Sequence, residues 1–231
     1  MNRIRVTLLV FLLIGSSFAQ SRWDGADELP VNPLACGAEP SPAPATVSYD
    51  GGTATNAPDL AGQTITLIDV PKLVGIGYFD ATALGIQQAA EELGNVSART
   101  DGPTEANIDD QIAVIENYLA AGEVNAILFA ANDPVAISPV LRRALEQGVH
   151  VVGYDANSQP DAREWFVNQA EFNGIAKAMM DSMAAEKGED AAFGIVTSTF
   201  TTPNQARWIA EMQAYQEQCY PEMEWLETLE A

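Results

Sequence analysis

Apolar runs of seven or eight residues alternate with longer segments of helical period through most of the chain. The runs TITLIDV (64–70), VNAILFAA (124–131) and VHVVGYD (149–155) have the composition of strands buried on both faces. Segments between them, such as EANIDDQIAVIENYLAAG (105–122), repeat apolar residues every three or four positions and end at glycine. Such alternation forms a parallel sheet with helices on both faces, so the sequence predicts an α/β unit over residues 63–157.

A second, shorter series of strands and helices follows. Its predicted elements are a helix, a buried strand, a helix and a final strand, at 171–188, 191–198, 204–218 and 223–229. We assign residues 165–231 to a second α/β unit and residues 158–164 to the crossover between the units. Because a unit that stops at such a strand lacks the rest of a finished sheet, we expect the second unit to be truncated.

The N-terminal part of the chain has neither pattern. Residues 1–19 combine a basic start (MNRIR), a ten-residue apolar stretch and small residues before a cleavage point after Ala19. This combination predicts a secretory signal, and the apolar stretch is shorter than the roughly 20 residues that span a bilayer. Residues 20–62 are rich in Pro, Gly, Ala, Ser and Thr and are predicted to form a flexible tether. The mature protein is therefore expected in the periplasm.

Cys36 and Cys219 are the only cysteines. Export permits a disulfide, but Cys36 lies in the predicted tether and spacing does not decide connectivity, so the pairing stays open. A lipid anchor on Cys36 is not expected, because the preceding residues, NPLA, match the lipidation pattern poorly and lie well beyond the apolar stretch.

Charge and composition exclude several classes of function. The formal net charge of −21 opposes nucleic-acid binding and favours a soluble, self-repelling protein, for which we expect a monomer. His150 is the only histidine, and GIGYFD (75–80) lacks the third glycine of a dinucleotide fingerprint, with Asp80 in its place. Without a catalytic constellation we expect no enzyme activity, no cofactor and no metal site.

Polar residues follow the predicted strands at their carboxyl ends, where ligands bind in parallel sheets. Lys72 comes just after the first strand, Asn132 after the third and Asp155 after the fourth, so the three are expected to meet at one edge. Tyr78 and Phe79 belong either to the core or to the wall of a cleft, where aromatic rings pack against the apolar faces of sugars.

Four segments occur in an order that resembles a known family: PKLVGIGYFDATALGIQQAAEELG, DGPTEANIDDQIAVIENYLAAG, AILFAANDPVAISPVLRRALEQGVHVVGYDA and FGIVTSTFTTPNQARWIAEM. Together they are similar to the periplasmic sugar-binding proteins of ribose-type ABC importers (type I periplasmic binding proteins), above all to the autoinducer-2 and rhamnose receptors. The resemblance implies two similar Rossmann-like lobes with parallel sheets and a ligand in the cleft between them. It also implies further residues beyond Ala231 that would complete the second lobe.

The resemblance also implies which residues contact the ligand. Lys72 and Asp155 correspond to ligand-gripping residues of the first lobe, and Asn204 and Gln205 to positions on the second. The autoinducer-2 receptors carry Asp where this chain has Asn204. This difference makes rhamnose, another deoxysugar or a pentose as plausible a ligand as autoinducer-2, because an amide both donates and accepts hydrogen bonds.

The expected function is that of an extracytoplasmic substrate-binding protein that delivers a small sugar to the membrane permease of an ABC importer. The alternative is a periplasmic sensory receptor for autoinducer-2 or a sugar that reports to a signalling partner. A cytosolic repressor is excluded because a signal segment stands where a DNA-binding helix pair would lie. We expect this chain alone to bind sugar weakly or not at all and to expose apolar surface, and a chain extended to family length to bind one ligand.

Overall fold

A computed structural model describes residues 30–37 and 62–231, so the predicted signal segment lies outside the described residues. Strands and helices alternate along the longer range, as the sequence predicts. In chain order they are β1 (Ile65–Val70), α1 (Gly77–Leu93), β2 (Val96–Thr100), α2 (Ile108–Ala121), β3 (Ala126–Phe129), α3 (Ser138–Glu146), β4 (His150–Tyr154), a 3₁₀ turn (Pro160–Ala162), β5 (Trp165–Val167), α4 (Phe172–Lys187), β6 (Ala192–Thr197), α5 (Pro203–Cys219) and β7 (Glu224–Glu230). No helix within the described ranges is long and apolar enough to cross a membrane.

The first five strands form one parallel sheet in the order β2-β1-β3-β4-β5. Its core is a cluster of apolar side chains from β1, β3 and β4 and from helices α2 and α3, among them Ile68, Val70, Ile115, Ile127, Phe129, Leu141 and Val151. Each such buried side chain stabilises the fold by about 1.5–3 kcal/mol relative to an exposed one. The predicted α/β fold is confirmed.

Helix α1 packs on the opposite face of this sheet. Successive side chains of a strand point to opposite faces, so Asp69 points away from the cluster that contains Ile68 and Val70. On that side Asp69 accepts a hydrogen bond from the hydroxyl of Tyr154, and the ring of Phe79 in α1 meets the ring of Tyr154 edge-on. The residues just before and within α1 are therefore held beside the carboxyl ends of the strands.

The boundary between the two units differs from the prediction. Strand β5 pairs parallel with β4, with Val152 opposite Trp165, and belongs to the first sheet. The segment 158–164, predicted as the crossover, instead contains the 3₁₀ turn that packs against α3, and the first unit continues to Val167. The predicted crossover is wrong because a strand of three residues is too short for its periodicity to reveal which sheet it joins.

The second unit consists of α4, β6, α5 and β7. Strands β6 and β7 pair in parallel, and α4 packs against α5. Met180, Phe193, Met212 and Tyr215 form the centre of its own apolar cluster. Other apolar side chains on the strands face solvent: Val196 is 71% exposed, Leu226 60% and Leu229 49%. The expected exposed apolar surface is present in this part of the chain.

Residues 30–37 contain neither helix nor strand, yet they are fastened to the second unit. Cys36 forms a disulfide with Cys219 at the end of α5. The backbone of the segment also exchanges hydrogen bonds with side chains of α4 and α5, namely Asn173, Arg207, Glu211 and Gln218. The prediction of a flexible tether is wrong for 30–37, because side chains far away in the sequence hold this segment. The same prediction for 20–29 and 38–61 falls outside the described residues.

Gly153 in β4 lies between two aromatic rings, where the structure leaves no room for a side chain. A Cβ atom there would come within 2.9 Å of the ring of Phe129 and 3.0 Å of the ring of Phe166. Gly153→Ala is therefore expected to lower the free energy of unfolding by about 1–3 kcal/mol, the range for overpacking a core. Urea unfolding followed by circular dichroism measures this.

Gly85→Ala is the matched control. A Cβ at Gly85 in α1 meets nothing within 4 Å, and alanine in a helix is favoured over glycine by roughly 0.5–1 kcal/mol. This variant should be as stable as the parent or more so. Equal stability of Gly153→Ala and the parent would contradict the close packing of β4 between Phe129 and Phe166.

Candidate ligand-binding site

Three polar side chains from distant parts of the chain form a closed hydrogen-bonded triangle. The Lys72 ammonium lies 2.8 Å from the Asp155 carboxylate. Lys72 also donates to Oδ1 of Asn204 at 3.1 Å, and Nδ2 of Asn204 donates to Oδ1 of Asp155 at 3.1 Å. Lys72 and Asp155 belong to the first unit, whereas Asn204 lies in the first turn of α5 in the second. The triangle therefore joins the two units directly.

The predicted meeting of Lys72, Asn132 and Asp155 at one sheet edge is confirmed. Lys72 follows β1 by two residues and Asp155 follows β4 directly. Asn132, beyond the end of β3, donates from Nδ2 to the backbone carbonyl of Lys72 at 2.8 Å. The carboxyl ends of parallel strands meet at one edge, which explains why residues so far apart in sequence converge.

The triangle is removed from solvent. Lys72 is 8% exposed, Asp155 5% and Asn204 4%. Burial lowers the pKa of the Lys72 ammonium, and the neighbouring Asp155 carboxylate partly offsets this by favouring the charged form. A buried ion pair costs desolvation energy that its own attraction only partly returns, so such a pair is weak evidence of a purely stabilising role.

The backbone at Asp155 adopts an unusual conformation that directs its side chain. Asp155 has φ = 57°, the only positive φ among the described residues other than glycine. Its neighbours Ala156 and Tyr154 are joined by a backbone hydrogen bond that closes a tight turn around it. Aspartate tolerates this left-handed region better than most residues, and strain of this kind concentrates at ligand sites.

A buried glutamine that our sequence analysis missed lies behind Lys72. Gln111 in α2 is fully buried and donates to the backbone carbonyls of Pro71 at 3.0 Å and Ala130 at 2.8 Å. Its carbonyl oxygen accepts from the backbone N–H of Asn132 at 3.0 Å. A signal was available, since Gln111 is a polar residue placed on the apolar stripe of its helix.

A buried carboxylate lies in β1, one residue before the end of the strand that leads to Lys72. Asp69 is fully buried in β1 and accepts hydrogen bonds from Tyr154 at 2.9 Å and Thr100 at 3.0 Å. Burial raises the pKa of Asp69, and the two hydroxyl donors oppose that rise. The three residues tie the ends of β1, β2 and β4 together, which stiffens the edge that carries Lys72 and Asp155.

The remaining predicted site residues lie around the triangle rather than in it. Tyr78 is 45% exposed and donates to Oε1 of Gln169 at 2.9 Å, and burial together with the nearby Asp155 carboxylate raises the pKa of Tyr78 to about 12. Phe79 is buried and its ring contacts that of Tyr78 edge-on. From the sequence, both residues could belong either to the core or to the wall of the cleft, and their role in the cleft stays a prediction.

Gln205 is oriented by its own unit. Its side-chain oxygen accepts from Thr197 Oγ1 at 2.5 Å and from the Ser198 backbone at 2.7 Å. Its backbone N–H donates to Oδ1 of Asn204 at 3.0 Å, which helps to hold that side chain against Lys72. In this structure Gln205 reaches the triangle through its backbone only, and its predicted contact with ligand stays a prediction.

The sequence matches the family described as periplasmic binding protein domain over residues 70–231. Because this match covers more than half of the chain, the protein belongs to the periplasmic binding protein family. The fold agrees with that assignment, since parallel α/β units meet at the carboxyl edge of the first sheet.

Solved structures of solute-binding proteins resemble this chain. An ABC transporter solute binding protein from Clostridium phytofermentas with bound L-rhamnose is 30% identical, with a TM-score of 0.67, over 72% of this chain and 52% of that one. A sugar ABC transporter protein from Actinomyces odontolyticus is 29% identical, with a TM-score of 0.55, over 73% and 56%. LsrB from Clostridium saccharobutylicum in complex with AI-2 is 24% identical, with a TM-score of 0.64, over 69% and 51%, and shows the fold alone. The chain thus spans about half the length of these proteins.

Proposed function

We propose that this protein is an extracytoplasmic solute-binding protein that captures a small, uncharged sugar for the permease of an ABC importer. The observation that carries the proposal is the triangle in which Lys72 and Asp155 of one unit meet Asn204 of the other. A ligand held by these groups would contact both units at once, as in hinge closure around a ligand. The similar protein from Clostridium phytofermentas holds L-rhamnose, which supports a sugar as the ligand class.

The three side chains together suit the hydroxyl groups of a sugar. A lysine ammonium has three donors, and a carboxylate accepts from two adjacent hydroxyls in the stronger, charge-assisted class of hydrogen bond. The Asn204 amide donates and accepts, so it can replace its bonds to Lys72 and Asp155 by bonds to a hydroxyl. The sugar would then take over hydrogen bonds that the residues now make with one another.

The charge balance of the site favours a ligand without charge. The Lys72 ammonium and the Asp155 carboxylate offset each other, and Asn204 adds no charge. Other cations are engaged elsewhere, for example Arg142 with Asp161 and Arg207 with Glu211. A sugar acid or sugar phosphate would have to bury its charge beside Asp155 against that balance, which is costly.

The test is calorimetric titration of the full-length protein, meaning the product of the complete reading frame. The panel is L-rhamnose, D-arabinose, D-allose and AI-2, with D-glucuronate as an acidic counterpart. We expect one neutral member to bind with a stoichiometry of one and to be recovered chemically unchanged, and glucuronate not to bind. Failure of every neutral sugar would overturn the proposal, and chemical conversion of a bound sugar would replace it with an enzymatic one.

Asn204→Asp is expected to weaken binding of the neutral sugar about tenfold at pH 8, equivalent to about 1.4 kcal/mol. The new carboxylate would lie beside Oδ1 of Asp155, where the Asn204 amide now donates at 3.1 Å. Two neighbouring carboxylates raise the pKa of one of them. The loss should therefore shrink at pH 5, where the pair can share a proton.

Asn173→Asp controls for the added charge. Asn173 lies on α4 and donates to the backbone of Asn32, away from the triangle. This variant should bind the sugar as the parent does at both pH values. Equal affinity of Asn204→Asp and the parent at pH 8 would show that Asn204 does not face the ligand.

A further inference from the structure

Gln111 makes polar contacts with both strand ends that carry the site. Its Nε2 donates to the carbonyls of Ala130 at 2.8 Å and Pro71 at 3.0 Å, with a longer contact of 3.3 Å to Val70. Its Oε1 accepts from the backbone N–H of Asn132 at 3.0 Å. One fully buried side chain thus connects the ends of β1 and β3 just beyond their last paired residues, Val70 and Phe129.

These contacts continue to the ligand-binding lysine. Asn132, held by Gln111 through its backbone N–H, donates from its side chain to the carbonyl of Lys72 at 2.8 Å. Pro71, held by Gln111 through its carbonyl, directly precedes Lys72 in the chain. The backbone of Lys72 is therefore fixed from both sides at the point from which its ammonium reaches Asp155.

The chemistry of the position favours glutamine. The donor end of the amide faces carbonyl oxygens and the acceptor end faces an N–H. A flipped amide would place its oxygen against the carbonyl oxygens and its own N–H groups against that N–H, so neither end could form a hydrogen bond. Glutamate would bring a carboxylate against the carbonyls, and an apolar residue would leave buried carbonyl groups without this donor, which is costly. A side chain that merely fills the core would need none of this polarity.

We propose that Gln111 is a positioning residue for ligand binding, which sets the placement of Lys72 through Asn132 and Pro71. This inference rests on the proposed function, because it assigns Gln111 a role at the same sugar site. Gln111 does not touch the ligand; it holds the backbone from which a ligand contact projects.

A double-mutant cycle on the full-length protein tests the proposal with L-rhamnose as the probe. Gln111→Met keeps the volume and removes the hydrogen bonds, and Asn132→Ala removes the link to Lys72. Each variant is expected to weaken L-rhamnose binding about tenfold, and the double variant by clearly less than the product of the two losses, because both changes loosen the same Lys72 backbone. Losses that multiply to about a hundredfold, or an unchanged affinity in Gln111→Met, would overturn the proposal.

Ile115→Ala is the matched control for loss of stability. Ile115 is fully buried in the same helix and belongs to the apolar core, so its truncation should cost stability without affecting affinity. Hydrogen exchange adds a readout independent of ligand. The backbone N–H of Asn132 should exchange its hydrogen faster in Gln111→Met and stay protected in Ile115→Ala.

The two proposals fail separately. If the parent binds no sugar of the panel, the proposed function fails, and hydrogen exchange alone then decides whether Gln111 holds the segment around Lys72. If the parent binds L-rhamnose and the two losses are additive, only the positioning role of Gln111 fails.

Discussion

Asp155→Ala is expected to weaken sugar binding by roughly 2–4 kcal/mol, or about 30- to 900-fold, the range for losing a buried charged hydrogen-bonding group. Asp155 is 5% exposed and pairs with the Lys72 ammonium at 2.8 Å. Removing the carboxylate takes away the proposed acceptor of ligand hydroxyl groups and leaves a buried ammonium without its counter-charge. Titration calorimetry of the full-length protein with L-rhamnose measures the loss.

Two further variants make this result specific. Asp155→Asn keeps the side-chain shape and tolerates the positive φ of this position, so a loss there reports the charge rather than the backbone. Asp161→Ala removes an exposed carboxylate that pairs with Arg142 on the same unit and should leave affinity unchanged. Parent-like binding by Asp155→Ala would contradict the assignment of this edge as the ligand site.

Loss of the disulfide should have the second large effect. The Cys36–Cys219 bond joins residues 183 positions apart, and removing a native disulfide typically costs roughly 2–5 kcal/mol. Cys36→Ser is therefore expected to lower Tm by roughly 5–15 °C. Thermal melts by circular dichroism, with and without reductant, measure this.

The double variant Cys36→Ser/Cys219→Ser supplies the control. Reductant should lower the Tm of the parent to that of the double variant and leave the double variant unchanged. Release of residues 30–37 should also expose the Asn173 and Gln218 side chains that now bind its backbone. An identical Tm for oxidised and reduced parent would contradict a stabilising role of the disulfide.

The two expected losses lie in different parts of the molecule. Asp155 acts at the contact between the units, whereas the disulfide is attached at Cys219, at the opposite end of α5 from Asn204. A Cys36→Ser variant that remains folded should therefore bind L-rhamnose with parent-like affinity. Melts and titrations on the same samples separate damage to the fold from damage to the site.

The sequence by itself determined the α/β class and the edge of the sheet on which the candidate site lies. Apolar runs of β1, β3 and β4 and the helical period between them are local signals, and each is legible within about ten to fifteen residues. A strand's carboxyl end follows from its direction, and all parallel strands share that edge. The sequence alone therefore predicts that one edge of the sheet carries Lys72, Asn132 and Asp155.

Only the tertiary structure decided which distant groups meet. The bonds from Asn204 to Lys72 and Asp155 depend on how the second unit lies against the first. The pairing of Cys36 with Cys219, the place of β5 in the first sheet and the reach of Gln111 to two strand ends likewise depend on contacts between remote segments. Periodicity reports which face of an element is buried and carries no information about its partner, so these features became visible only in three dimensions.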